Sequence, residues 1–275
     1  MPDLFNVTLL CVETRSPSLA LWAMRRCLDQ VRFAKAVLIT DLAIDYIYPI
    51  DIEIIAAPPI TKVDDYSLYI LSNLIPLIKG THVLIMQWDS FITNPQSWVD
   101  IFLDYDYIGA PWPHHPDTPV GNGGFSLRSI KLIQAMQSKK INKRHPEDQC
   151  ICIDNRLLLE NEFGIKFAPL ELANKFSVER GENFSSFGMH GIFNFPCFLN
   201  YLELVSVFKI IPNSFLGNLD TYDLIEALLQ KKYYLLSSDL LKRTPIKNKF
   251  LKKYFKFWFR IQQIKLLKFM FKAKS

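Results

Sequence analysis

Short apolar runs separated by helical patterns fill the first 90 residues of the 275-residue chain, and this alternation restricts the fold more than any other feature. Each run is five to eight residues long and bounded by polar residues, which is typical of a buried strand. We assign strands to residues 5–12, 36–40, 51–56 and 81–86. Helical patterns occupy residues 16–30 and 64–79, the second shortened by Pro76. The order β-α-β-β-α-β predicts an α/β fold with a Rossmann-like, mostly parallel central sheet flanked by helices.

Weaker patterns continue beyond residue 90. They predict a short helix from Asn94, helices over residues 129–140 and 149–163, and a strand over residues 165–168. The helix over residues 149–163 is expected to end at Gly164, because glycine readily adopts the left-handed conformation that closes helices.

Composition excludes several classes of protein. The chain is 49% hydrophobic and 13% aromatic, which rules out a disordered chain. No apolar run reaches the roughly 18–20 uncharged residues that span a bilayer. Residues 1–4 lack the basic region of a secretory signal and lead directly into a strand, so we expect no signal peptide. The five cysteines show no metal-binding spacing, which favours a reduced, cytoplasmic location.

The net charge of +5 is distributed unevenly. Residues 242–275 contain twelve Lys or Arg and no Asp or Glu, which leaves a net charge of −7 for residues 1–241. We therefore predict one large folded domain over residues 1–241 and a separate basic tail over residues 242–275. An acidic body argues against nucleic acid as a partner, whereas the tail is expected to have a partner of its own.

Polar residues follow three of the predicted strands. Glu13 and Arg15 follow the first strand, Asp41 the second, and Asp89 the fourth. Ligands of open α/β sheets bind beyond the carboxyl ends of the strands. At that place the carboxylates would accept hydrogen bonds from ribose hydroxyls, and the Arg15 cation would bind phosphate. The chain has no glycine-rich phosphate loop, which excludes a P-loop enzyme or a dinucleotide dehydrogenase. The alternative for Asp89 is a simple turn residue.

Three later segments are further candidates. Glycines surround Asn122 at residues 121–124, where the backbone either approaches a ligand closely or makes a tight turn. Glu147 and Asp148 follow a proline, as at an ordinary helix N-terminus, but one of them would also serve as a general base at the rim of a cavity. His190 stands between glycine-flanked positions, so we expect it to be exposed and available as a ligand or catalytic group.

Five segments in fixed order carry a resemblance to a known family. They are Gln87-x-Asp89-Ser90, the segment from Asp106 to Trp112, the segment from Asn122 to Arg128, Glu147-Asp148, and Phe187-Gly-Met-His190. Together they resemble an uncharacterised family of glycosyltransferase-like domains found in bacteria and fungi. That family is similar to the GT-A superfamily, including the β-1,4-galactosyltransferases. The resemblance covers roughly residues 5–195 and implies a GT-A fold that binds a nucleotide-sugar donor.

The resemblance also implies roles for residues on the donor side. Glu13, Thr14 and Arg15 match the first-strand segment that contacts the nucleotide, and Asp41 matches a position near the base or ribose. Gly123 and Gly124 match the segment where the donor sugar meets the acceptor.

A metal site is implied by the same resemblance. Gln87, Trp88 and Asp89 occupy the place of an Asp-x-Asp motif, whose last acid binds a divalent metal that bridges the diphosphate. One acid of that motif is missing here. His190 matches the histidine that often completes the metal shell. A hard cation such as Mn²⁺ or Mg²⁺ suits a shell of carboxylate, imidazole and phosphate, and it would neutralise the departing diphosphate.

The acceptor side of the implied site includes the acidic pair. One member of Glu147-Asp148 would act as the catalytic base, and we favour Asp148. Asn122 lies in the segment where the donor sugar and acceptor meet. Trp112 and Phe125 either stack on sugar faces or are ordinary core aromatics.

The basic tail has the pattern of an amphipathic helix. At 100° per residue its polar residues fall within about a quarter turn. They are Lys249, Lys252, Lys253, Lys256, Arg260 and Gln263. A wide aromatic and aliphatic sector fills the remainder, which is typical of a helix lying in a membrane interface with anionic lipid. The alternative is a terminal helix docked on the acidic body of the protein or on a partner subunit.

These features predict a glycosyltransferase at the inner face of the cell membrane. It would move a sugar from a nucleotide-sugar, by default a UDP-sugar, to a glycan or lipid-linked acceptor in bacterial lipopolysaccharide or capsule synthesis. The alternative is a non-catalytic nucleotide- or carbohydrate-binding module that retains the fold with a degenerate site.

Overall fold

The computed structural model describes residues 2–41 and 51–272, with only the backbone described for residues 267–272. Its strands are β1 (Asp3–Val12), β2 (Arg32–Thr40), β3 (Glu53–Ala56), β4 (His82–Met86), β5 (Ser90–Ile92), β6 (Tyr107–Ile108), β7 (Phe125–Ser129), β8 (Ser177–Val178) and β9 (Gly188–His190). Its α-helices are α1 (Pro17–Leu28), α2 (Val63–Ser72), α3 (Ile130–Ala135), α4 (Glu147–Gln149), α5 (Arg156–Phe163), α6 (Leu170–Phe176), α7 (Phe195–Phe198), α8 (Tyr201–Ile210), α9 (Leu219–Gln230), α10 (Tyr234–Arg243) and α11 (Leu251–Lys272). The chain divides into two units, residues 1–190 and 191–275, which we call the sheet unit and the helical unit.

The described part of the sheet unit is built on a six-stranded sheet with the order β3-β2-β1-β4-β7-β6. β1 pairs in parallel with both β2 and β4, and β2 pairs in parallel with β3. β7 runs antiparallel to β4 and to β6. A second, three-stranded sheet has the order β5-β9-β8. The predicted α/β fold with a mostly parallel central sheet and flanking helices is confirmed.

The reversed strand β7 determines what lies at one edge of the large sheet. Met86, at the carboxyl end of β4, pairs with Cys11 near the end of β1 and with Phe125 at the start of β7. The end of β1, the end of β4 and the beginning of β7 therefore share one edge. The loop 109–124, which joins β6 to β7, opens at this edge. Every residue of β4 is buried, as expected for a central strand covered on both faces.

Several helix boundaries differ from the predictions for local reasons. α2 ends at Ser72 because Pro76 lies in a separate 3₁₀ turn, Ile75–Leu77. The helix expected from residue 149 begins at Glu147 and is interrupted by a π-helical turn, Cys150–Asp154. Gly164 closes α5 in the left-handed conformation, as predicted.

Other segments are shorter than predicted. Ser129 caps α3 by accepting a hydrogen bond from the backbone of Leu132, but that helix ends at Ala135 rather than near residue 140. The strand expected over 165–168 is wrong, because Phe167 makes only an isolated bridge with Tyr107. The short helix from Asn94 is a 3₁₀ turn, Pro95–Ser97.

The helical unit is organised around α9, which α10 and α11 both contact. Asn218 caps α9 by accepting from the backbone of Thr221, and the helix buries its apolar face. The predicted boundary at residue 241 falls inside α10, and the chain divides after His190 instead. The boundary differs because the basic tail shares an apolar core with the two helices before it. No helix in the described ranges combines the length and apolar character needed to cross a membrane.

Candidate active site

A cavity of about 660 Å³ opens at the sheet edge where β1 and β4 end and β7 begins. Its walls come from the end of β1 and the segment after it, the start of α2, the segment after β4, the loop before β7, the start of α4, the two residues after β8, and the last residue of β9. Its position agrees with the rule that ligands bind beyond the carboxyl ends of parallel strands.

Most residues predicted from the sequence line this one cavity. They are Glu13, Thr14, Arg15, Gln87, Trp88, Trp112, Asn122, Gly123, Gly124, Glu147, Asp148 and His190. Asp89 is half-buried and reaches the site through His190, whose Nε2 lies 3.6 Å from Asp89 Oδ1. Segments separated by more than 170 residues of sequence are thus brought to one place.

Besides Asp89, two predicted residues do not line the cavity. Phe125 is fully buried, and its ring centroid lies 5.5 Å from that of Phe176 and 6.1 Å from that of Phe187. It is a core aromatic, which corrects its prediction as a sugar contact. Asp41 is exposed at the end of β2, outside the residues that form the cavity walls. β2 is parallel to β1 and ends at the same edge, but it lies on the far side of β1 from β4, so its end is further from the strands that form the cavity.

The segment after β1 is held by a carboxylate. Glu13 Oε1 accepts hydrogen bonds from the backbone nitrogens of Arg15, at 2.7 Å, and Ser16, at 3.1 Å. Its Oε2 lies 3.4 Å from Arg15 Nη2. Thr14 Oγ1 donates to the carbonyl of Ile60 at 3.3 Å, which ties this segment to the approach to α2. Much of the acceptor capacity of Glu13 therefore shapes the turn before α1, while the Arg15 side chain is largely exposed.

His190 lies between several polar groups. Its Nδ1 is 3.3 Å from Glu179 Oε1 and 3.1 Å from Asn122 Nδ2. Its Nε2 is 3.3 Å from Gln87 Oε1. The side chain is only 14% exposed and belongs to β9, so the expectation of an exposed histidine is wrong. Glycine at 124 allows this approach, because a Cβ there would overlap the imidazole ring.

Two carboxylates control the charge of His190. Burial by itself lowers the pKa of this imidazole, but the negative charges of Asp89 and Glu179, with the hydrogen bond to Glu179, outweigh burial and raise the pKa well above its ordinary value. The same contact with His190 lowers the pKa of Glu179 against the opposing effect of burial.

Once His190 Nε2 has lost its proton, this nitrogen, Asp89 Oδ1 and Gln87 Oε1 would together hold a divalent cation with one carboxylate. Asp89 Oδ1 is buried and has no hydrogen-bond partner among the described residues. Gln87 Oε1 supplies a neutral oxygen on the same side of the ring. Glu179 holds the other ring nitrogen, as carboxylates commonly do for metal-binding histidines. Within the described residues, no group of three or more His, Cys, Asp or Glu is placed to hold a metal.

The acidic pair at the start of α4 has two different environments. Glu147 is buried and its Oε1 lies 3.2 Å from Nη2 of Arg128, which is itself fully buried. Burial raises the pKa of Glu147, and the guanidinium opposes that shift. Asp148 is half-buried, and its Oδ2 accepts a hydrogen bond from the backbone nitrogen of Gly123 at 3.1 Å.

These contacts separate the roles of the two acids. Glu147 fixes the start of α4 against the sheet through Arg128, which also donates from Nε to Ser126 Oγ at 3.1 Å. Asp148 is placed beside the glycine segment, with its Oδ1 accepting from the backbone of Gln149 at 2.8 Å. Of the two, Asp148 is the better candidate for a proton acceptor.

The sequence reasoning missed several residues of the cavity wall. They are Lys62, Tyr66, His114, His145, Glu179 and Arg180. Lys62 immediately precedes α2, whose N-terminal dipole favours anions, so a lysine before a helix start was an available signal. Tyr66 Oη accepts from Gln87 Nε2 at 3.3 Å, a contact over 21 residues that no local pattern indicates.

Three solved structures illustrate the similarity to known proteins. A glycosyltransferase involved in the glycosylation of the major capsid of PBCV-1 is 9% identical, covering 74% of this chain and 99% of that chain, with a TM-score of 0.44. S. aureus TarS 1-349 in complex with UDP-GlcNAc is 11% identical, covering 87% and 82%, with a TM-score of 0.34. HddC from Yersinia pseudotuberculosis is 16% identical, covering 49% and 80%, with a TM-score of 0.32. Among curated proteins, none matches the chain.

A family model matches residues 50–190, which is more than half of the chain and contains all of the cavity wall except the end of β1 and the segment after it. Its description is "Protein of unknown function (DUF5672)". This chain belongs to that family.

Proposed function

We propose that this protein is a glycosyltransferase that moves a sugar from a nucleotide-sugar, with a UDP-sugar as the first donor to test, to a glycan or lipid-linked acceptor. The bacterial surface polysaccharides, lipopolysaccharide and capsule, are the acceptors we favour. One observation carries the proposal: a single cavity at the sheet edge combines cations suited to a diphosphate with a carboxylate suited to proton removal. The resemblance of its motifs to GT-A enzymes supports the same chemistry.

The donor diphosphate would bind among the cationic side chains of the wall. Arg15, Lys62 and Arg180 line the cavity, and all three are exposed to an incoming ligand. The N-terminus of α2 adds the partial positive charge of a helix dipole beside Lys62. Charge-assisted hydrogen bonds of this kind bind phosphate oxygens strongly.

A divalent cation, Mn²⁺ or Mg²⁺, would be held by Asp89, Gln87 and His190. When bound, it neutralises negative charge on the leaving diphosphate. Glu179 orients the imidazole through Nδ1 and Gly124 leaves room for the ring. With one carboxylate in this set, metal affinity is expected to be weaker than in a site with two acids.

The acceptor hydroxyl would lose its proton to Asp148. As the hydroxyl oxygen bonds to the anomeric carbon, the bond from that carbon to the diphosphate oxygen breaks, and the nucleoside diphosphate leaves with the electron pair. The hydrogen bond from the Gly123 backbone keeps the Asp148 carboxylate in place. Trp112 and Asn122 form the adjoining wall, where they would contact the sugar or the acceptor.

The test is a panel of sugar nucleotides assayed for release of nucleoside diphosphate with Mn²⁺, using the wild-type chain and Asp148→Asn. We expect Asp148→Asn to lower turnover at least about 100-fold, because general-base catalysis contributes roughly that much or more. The rise in Tm with UDP and Mn²⁺ should persist in this variant, since donor binding does not need the base.

Asp104→Asn is the matched control, because Asp104 is exposed and does not belong to the cavity wall. It should leave turnover unchanged. Unchanged turnover in Asp148→Asn would remove Asp148 as the base. If no nucleoside diphosphate raised the Tm of the wild-type chain, the donor site itself would be wrong.

A second candidate is a non-catalytic nucleotide- or carbohydrate-binding module. The observation that favours it is the set of ligand atoms beside His190 Nε2, in which glutamine stands at residue 87 where a second acid is usual and the imidazole is already engaged by two carboxylates. This candidate predicts that sugar nucleotides raise the Tm of the wild-type chain without turnover. Measurable turnover that Asp148→Asn abolishes would exclude it.

A further inference from the structure

Helix α11 has one apolar side that packs inside the helical unit. Phe257 and Ile261 are buried, and the Phe257 ring is stacked nearly parallel to that of Tyr222 on α9, with centroids 6.2 Å apart. On the same side, Arg260 Nη1 lies 2.6 Å from Glu226 Oε1, and Lys253 Nζ lies 3.8 Å from Asp223 Oδ1. Part of the basic tail therefore docks on acidic positions of its own unit.

The opposite side of the same helix is apolar and exposed. We call it the exposed apolar face; it consists of Leu251, Phe255, Trp258, Phe259 and Leu266. Phe259 is 58% and Leu266 is 60% exposed, and the other three are at least 40% exposed. At 100° per residue the five positions share an arc of about 100°. A continuous exposed stripe of large apolar residues, unlike a single exposed leucine, indicates an interaction surface.

Lysines border the exposed apolar face. Lys252 and Lys256 are exposed and follow the stripe around the helix, and the exposed Lys249 lies in the 3₁₀ turn, Asn248–Phe250, that leads into it. Among the described residues none of these three forms a salt bridge, in contrast to Lys253 and Arg260 on the docked side. The whole helical unit is strongly basic, with fifteen Lys or Arg against five Asp or Glu in residues 191–275.

We propose that the exposed apolar face of α11 lies on an anionic lipid bilayer, with its axis in the plane of the interface. Aromatic residues with aliphatic neighbours insert at the headgroup boundary, and lysines beside them attract anionic headgroups. This divides the helix differently from the sequence prediction: one apolar side packs on the protein and only the other is available for lipid. The inference stands apart from the proposed sugar chemistry, because it uses residues of the helical unit alone.

Charge argues for lipid over a second copy of this chain. Two α11 helices paired through their exposed apolar faces would bring two sets of Lys249, Lys252 and Lys256 together, and like charges in contact disfavour association. An anionic bilayer offers the opposite charge along the entire length of the stripe.

The test is sedimentation of the full chain with vesicles of phosphatidylcholine alone and of phosphatidylcholine with phosphatidylglycerol. We expect binding to the anionic vesicles that weakens as salt rises, and little binding to the neutral ones. The double variant Trp258→Ser with Phe259→Ser should weaken binding at least about tenfold. Changing Lys249, Lys252 and Lys256 to Gln should weaken it at least about tenfold as well, without touching the apolar stripe.

The matched control is Leu202→Ser with Leu235→Ser, which removes two more exposed apolar residues elsewhere in the same unit. It should bind the anionic vesicles like the wild-type chain. Wild-type protein that stays in solution with anionic vesicles at low salt would overturn the proposal, and so would full binding by both α11 variants. A dimer in solution that Trp258→Ser with Phe259→Ser dissociates would assign the face to a second copy instead.

Discussion

Two arginine–glutamate pairs show how differently the two units use charge. In the sheet unit, Arg128 and Glu147 are 0% and 6% exposed and lie beside the cavity. In the helical unit, Arg260 and Glu226 are 40% and 31% exposed on the docked side of α11. The pair in the sheet unit is buried next to a candidate active site. The pair in the helical unit is partly exposed to water, and large apolar side chains are exposed on the same helix. Both arrangements oppose the usual tendency of folded chains to expose charge and bury large apolar side chains, so stability alone explains neither.

The largest expected effect comes from breaking the buried pair. Glu147→Ala leaves the Arg128 guanidinium buried without its partner, and we expect the free energy of unfolding to fall by about 3–5 kcal/mol. Urea unfolding measures this loss. Glu162→Ala removes an exposed glutamate and should change the unfolding free energy by less than about 1 kcal/mol.

A double variant sharpens this prediction. Replacing both partners, Arg128→Met with Glu147→Leu, removes the unpaired charge and should recover most of the lost stability. Turnover should remain impaired, because Asp148 would lose the neighbour that fixes the start of α4. Equal losses of stability in the single and double variants would show that the pair is not what stabilises this region.

An intermediate effect is expected from the two sides of α11. Phe257→Ala empties a buried position against Tyr222 and should lower the unfolding free energy by about 3 kcal/mol. Phe259→Ala, two residues away, removes the same side chain from an exposed position and should change it by less than about 0.5 kcal/mol. Similar losses at both positions would contradict the division of the helix into a packed side and an exposed side.

The smallest effect is expected from the exposed pair. Arg260→Gln breaks a contact that water already screens, so the unfolding free energy should fall by at most about 1 kcal/mol. The difference should shrink further at high salt. A loss as large as that of Glu147→Ala would mean that the two pairs are energetically alike despite their exposure.

The sequence predicted the first four strands of the sheet better than the later ones. The first four strands are short apolar runs with polar boundaries, and such runs indicate parallel strands directly. The reversal of β7 and the failure of residues 165–168 to form a strand depend on contacts between distant segments, which no local pattern contains. The boundary between the two units also depends on contacts between distant segments. The change to basic composition beyond residue 241 falls inside a packed set of helices, and the units divide after residue 190.

The candidate site was predictable where chemistry and topology act together. The strand-end rule identified Glu13 and Asp89. Composition could not distinguish Phe125, which packs in the core, from Trp112, which reaches the cavity wall. Nor could spacing show that His190 is enclosed by carboxylates, since Glu179 arrives from β8 and its loop.

The tail shows the same limit. A helical wheel identified the amphipathic helix but could not tell which apolar residues pack on the protein. The available signal was the acidic pair Asp223 and Glu226, which lies three residues apart on one face of α9 and accepts Lys253 and Arg260.

The antiparallel pairing of β6 with β7 has a consequence for how this site can change. Both ends of the loop 109–124 are fixed in adjacent strands, and the loop carries Trp112, His114 and the glycine segment to the cavity. Doubling the length of such a loop costs only about 0.6 kcal/mol in closure entropy. The part of this loop before the glycine segment, residues 109–120, can therefore change most easily: exchanging it as one block would alter what the site accepts, while the strands, the cations of the donor side and the hydrogen bond from Gly123 to Asp148 are kept.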